Sequence, residues 1–136
     1  MGRTFTEVEL AELFRWKPDK IRKWRDVLPI GRSGKGVKLE LNTRDVFFIL
    51  LADELMYHHL TRKVLEHLAL DIDYDLVGHG HDYLIRTRKI IRFDDRMESS
   101  AWRIRAGLDR IDTAELSSLW LINLVPLKEA AKKLTA

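Results

Sequence analysis

The sequence predicts an α+β chain, with helices in its first 70 residues and at its end and short antiparallel strands between them. Three observations predict this. Apolar residues recur at helical spacing behind polar start signals at Thr6, Asn42 and Thr61. Beyond a loop containing Gly78, His79 and Gly80 the spacing changes to alternation, most clearly in WRIRAGLDRID and in the apolar SLWLINLV. Pro126 then opens a final amphipathic helix, PLKEAAKKL.

The elements follow in order. Thr6 and Glu9 have the T-x-x-E spacing of a capping box, and Phe5 and Leu10 that of a hydrophobic staple. Val8, Leu10, Ala11, Leu13 and Phe14 supply the buried face of this first helix. A turn is expected near Arg15 to Lys17, and Pro18 suits the first position of a second helix. That helix buries Ile21, Trp24 and Leu28 at helical spacing and leaves Lys20, Arg22, Lys23 and Arg25 facing outward. Pro29 stops it. In PIGRSGKGVKLEL the glycines permit a tight turn, and Val37, Leu39 and Leu41 alternate like a returning strand. Asn42 caps a third helix, with Leu41 and Val46 as its staple, and Thr61 caps a fourth, with Leu60 and Leu65. In the last helix Leu127, Ala130, Ala131 and Leu134 form one stripe, with Lys128, Glu129, Lys132 and Lys133 outside it.

Composition narrows the functional classes. The chain has 136 residues, 46% of them hydrophobic, enough for a real core. It has no cysteine, which excludes disulfides, thiolate metal sites and a cysteine nucleophile. No apolar run reaches the length of a membrane span and the N-terminus lacks a signal-peptide core, so a cytoplasmic protein without membrane contact is expected. Net charge is +3, but residues 1–44 hold 11 Lys/Arg against 6 Asp/Glu, leaving the remainder slightly acidic. A basic N-terminal lobe points to a polyanion partner.

Helix, turn, helix, basic hairpin and a further helix is the order of a winged helix-turn-helix, which sets one helix in a DNA groove and a loop on the phosphates. On that reading Lys20 and Lys23 read bases, because they come early in the second helix. Arg22 and Arg25, lying round the helix, meet phosphates. Lys17 in the turn joins them, and Arg32, Lys35 and Lys38 charge the wing.

The first 70 residues resemble the MerR-type winged-helix domain. The resemblance rests on the F-T…E-L-A-E-L segment from Phe5 to Leu13, on P-x-K-I-R-K-W from Pro18 to Trp24, and on the glycine- and arginine-containing wing that leads into N-T-R-D-V, Asn42 to Val46. It implies a recognition helix in the major groove, a wing on the backbone and a homodimer on a two-fold-symmetric site. The same small domain occurs in phage excisionases and in DNA-packaging recognition subunits, so it specifies a DNA-binding module before it specifies a task.

Other features have plainer explanations. GRSGKG lacks the terminal Lys-Ser/Thr of a phosphate loop and does not join a strand to a helix, which argues against nucleotide hydrolysis there. His79 and His81 read as a solvated turn, since no further ligand set has metal spacing. No nucleophile–base grouping can be assembled, so neither an enzyme nor a cofactor is expected. Arg86 and Arg88 on one strand, and Arg103 and Arg105 on another, either extend the DNA surface or form the wet face of a sheet. The expected division is a winged domain over 1–70 and a strand-rich region with a terminal helix over 71–136, the latter serving dimerisation or an effector. The expected function is a homodimeric transcriptional regulator binding double-stranded DNA. The rivals are a phage-type architectural or packaging factor and a module that binds an acidic protein.

Overall fold

A computed structural model describes residues 2–17, 19–30, 40–91, 96–99, 103–105 and 116–136. Helix and sheet are both present, as an α+β chain requires. The chain divides into two compact units: Met1–Leu70 with Pro126–Ala136, and Asp71–Val125. The last helix thus belongs with the first 70 residues rather than with the strand region, which moves it across the boundary expected at residue 70. None of the described helices is long and apolar enough to cross a membrane.

The first unit opens with α1, Glu7–Phe14. Its capping box forms: the Glu9 amide donates to Thr6 Oγ1 at 3.2 Å and the Thr6 amide to Glu9 Oε1 at 3.1 Å. Leu10 and Ala11 are buried, but Val8 and Leu13 are 55% and 50% exposed. Five residues are too many for one helical stripe, and these two lie off it. Arg15 ends the helix in the left-handed region with φ 57°, and the Trp16 amide returns to the Ala11 carbonyl at 2.8 Å.

The second helix, α2, is a single turn, Asp19–Arg22. Instead of continuing to Leu28 it tightens into i→i+3 bonds, Trp24 to Ile21 at 3.0 Å and Arg25 to Arg22 at 3.3 Å. Lys17 offers no capping side chain and Pro29 follows soon, so this stretch is too short to be helical by itself. Burial holds it: Ile21, Trp24 and Leu28 are inside, as their spacing predicted.

Next come α3, Thr43–Tyr57, and α4, Arg62–Asp71. Asn42 and Asp45 exchange capping bonds of 3.0 Å in both directions, and Thr61 Oγ1 accepts from the Val64 amide at 3.3 Å. α3 is the core of the unit: Val46, Phe47, Phe48, Ile49, Leu51 and Leu55 are fully buried. α5, Leu124–Leu134, completes it. This helix starts two residues before Pro126, which its first turn tolerates, and the Asn123 side chain accepts from the Val125 amide at 3.1 Å. Ala131 is buried, and so is Lys128, which the stripe had placed outside. Thr135 fastens the helix: its carbonyl accepts from the Arg3 amide and its hydroxyl meets that of Thr43 at 2.6 Å. Gly2 fits closely there: a Cβ would stand 3.0 Å from the Thr135 carbonyl oxygen, a tight contact.

In the second unit a 3₁₀ turn, Tyr74–Leu76, precedes an antiparallel sheet of β1 (Tyr83–Ile91), β2 (Arg96–Ser99), β3 (Arg103–Arg105) and β4 (Leu116–Asn123). β1 is central. β2 pairs with its second half, Arg88 opposite Ser99, and β3 with its first, Leu84 opposite Ile104. Since Leu84 also faces Ile122 and Arg88 also faces Ser118, β4 takes the opposite edge of β1 from β2 and β3. Of the strand expected over Trp102–Asp112, only Arg103–Arg105 lies among the described residues.

Candidate nucleic-acid interface

The geometry of the candidate site begins with the segment that precedes α1. Phe5 and Leu41 form an isolated antiparallel pair that exchanges both backbone bonds, at 2.9 and 2.7 Å. Leu41 is fully buried beside α3. Arg44 Nη1 donates to the carbonyl of Pro29, 15 residues earlier in the chain, at 2.6 Å while its guanidinium covers the Phe48 ring at 4.9 Å. Both ends of the stretch 31–39 are therefore tied to the same unit. Arg32, Lys35 and Lys38 themselves lie outside the described residues.

The five remaining cations of the expected interface do not share one environment. Lys17 and Arg22 are exposed and have no ion-pair partner among the described residues. Lys23 is also exposed; Asp19 stands 3.8 Å away at i,i+4, an arrangement worth about 0.3–0.5 kcal/mol, little enough for a phosphate or base to displace. Arg25 pairs with Glu7 in the first turn of α1 and shields that carboxylate, which is only 11% exposed. It ties the turns that follow α2 to α1.

Lys20 differs most from its expected role. Its ammonium donates to Asp53 on α3 at 2.7 Å and sits over the rings of Trp16 at 4.3 Å and Trp24 at 5.6 Å. Trp16 in turn stacks on Phe14 at 4.6 Å and meets the edge of Trp24 at 6.0 Å. A cation held by a carboxylate and two aromatic faces has a structural task. We expect Lys20→Met to lower stability by about 1 kcal/mol, since the pair is a third exposed, and to leave DNA affinity and its salt dependence unchanged. Parallel denaturation and binding curves check this; a loss of affinity without a loss of stability would return Lys20 to the groove.

One neighbour escapes the sequence. Arg62 reaches Asp26 at 3.7 Å, which brings the start of α4, with exposed Lys63, beside the turns that follow α2. The residues are too far apart in the chain for periodicity to connect them. Elsewhere on the unit, an open cleft of about 550 Å³ combines Arg3 and Lys133 with Glu9 and Glu12, so its charges cancel and it offers a polyanion nothing.

In the second unit His79 and His81 are exposed in a turn where Gly78 and Gly80 adopt φ of 92° and 115° and the Gly78 amide donates to Asp82 at 2.7 Å. No group of three metal-ligating side chains occurs among the described residues. The side chains of Arg86, Arg88, Arg103 and Arg105 lie outside them. Compared with protein-family models, with characterised proteins and with solved structures, the chain matches nothing.

Proposed function

We propose that this chain is a sequence-specific transcriptional regulator of the MerR-like winged type, cytoplasmic, binding double-stranded DNA as a homodimer. The Phe5–Leu41 pair carries the reading. It ties the residues that follow a stretch of three cations and three glycines to the segment before α1, which supports reading that stretch as a phosphate-gripping wing. Lys23, exposed just beyond α2, reads bases in the groove, and the exposed Arg22 and Lys17 meet phosphates. Lys20 and Arg25 hold the motif in shape. A dimer doubles the contacts of a domain that alone touches few base pairs.

The test is a salt-titrated binding assay. Neutralising Arg32 and Lys35 together weakens binding to every sequence alike and lowers the log–log salt slope by roughly two, one per lost phosphate contact. An unchanged slope sets the wing aside. Genome-wide mapping of protected sites then separates the possible tasks: sites at promoters support a regulator, sites at recombination or packaging loci a phage-type factor, and salt-dependent capture of acidic proteins without DNA binding a protein-interaction module.

A further inference from the structure

We infer that the outer edge of β4 is the homodimer interface, pairing antiparallel with β4 of a second copy about a two-fold axis at Trp120. This rests on the dimeric reading above and specifies the surface that it needs. β4 pairs with β1 along one edge, and no strand occupies its other edge among the described residues. Alternate residues of such a strand turn their N–H and C=O groups outward, a template for another strand. Leu119, Trp120 and Leu121 are 37%, 45% and 37% exposed, three successive large apolar residues on one strand.

Charge selects the occupant. The chain is 33% charged, yet the ten residues from Leu116 to Val125 carry no charge at all. The other strands each carry two or more charged residues, among them Arg86, Arg88 and Lys89 on β1 and Arg103 and Arg105 on β3. Exposed edges are usually guarded by a lysine or a proline, and this one has neither. An acidic or basic partner gains nothing from a neutral strand. A second copy does, because a two-fold axis sets a strand against itself and any charge would face or neighbour its own kind.

The register follows from the same residues. With the axis at Trp120, Leu119 faces Leu121 of the partner subunit twice on one side of the sheet, and Ser118 faces Ile122 of the partner subunit on the other. Centring on Leu119 or on Leu121 would instead set a leucine against serine or asparagine. Pairing at Trp120 extends the sheet through both copies and covers the β4 edge that no strand occupies among the described residues.

The full chain tests this by light scattering at micromolar concentration, with far-UV circular dichroism to verify folding. The wild type is expected to be a dimer. Leu119→Lys with Leu121→Lys sets lysines against lysines and is expected to give a folded monomer. Leu119→Lys with Leu121→Glu sets each lysine against a glutamate and is expected to keep the dimer, an outcome that a merely apolar patch would not produce. A monomeric wild type, a dimeric double-lysine variant or a monomeric lysine–glutamate variant overturns the proposal. DNA binding is measured separately on the same proteins. If the wild type is a DNA-binding dimer but a variant fails, the interface falls and the regulator reading stands. A monomeric wild type overturns both the interface and the homodimeric reading. A wild type that passes but binds no DNA keeps the interface and loses the regulator.

Discussion

Phe47→Ala is expected to destabilise the first unit by about 3–5 kcal/mol. Phe47 is fully buried in the second turn of α3, and its ring lies 5.2 Å from that of Phe48 in an edge-on arrangement. Truncation removes the apolar contacts and leaves a cavity that Val46, Leu51 and their neighbours, already fully buried, cannot collapse to fill. A domain of this size has about 5–15 kcal/mol in hand, so the variant stands close to unfolding. Chemical denaturation followed by far-UV circular dichroism, which weights the helices, reads the change as a lower midpoint. A loss below about 1 kcal/mol would mean that Phe47 is not in a packed core.

Lys23→Ala is expected to cost about 1–3 kcal/mol of specific DNA binding and to relax sequence preference at one position in each half-site. Arg22→Ala is expected to weaken all sequences together and to lower the salt slope by about one. Arg22 ends α2 and Lys23 lies just beyond it; both are exposed, and only Lys23 has an acidic neighbour to release. Neither substitution touches the core, so melting temperatures should stay put. Binding curves on a selected site and on scrambled DNA decide. Unchanged affinity and preference in both variants would remove α2 from the reading role.

Local signals were legible in the chain. The Thr6 and Asn42 caps and the burial of Ile21, Trp24 and Leu28 follow from short-range spacing, and the sequence displays them. Long-range choices were not. Lys20 looks like any outward cation on a basic helix, and only the fold reveals that Asp53, 33 residues on, claims it. The brevity of α2 reflects competition between helical and tighter turns that periodicity does not resolve. The last helix shows an apolar stripe in sequence, but a stripe does not say what it will be laid against. Here it joins residues at the opposite end of the chain.

That joining has a consequence for how the protein is made. Thr43 and Thr135 are separated by 92 residues, and the strand unit is threaded between them. On a ribosome, the first unit therefore cannot close as its own helices emerge. The contacts of Arg3 and Thr43 with Thr135 must wait while Asp71–Val125 is synthesised, several seconds at roughly 5–20 residues per second. The nascent chain spends that interval without its final helix. A fragment ending at Leu70 is permanently in that state, so the smallest piece that recreates the finished unit must carry 126–136 as well, rejoined by a linker or supplied as a peptide.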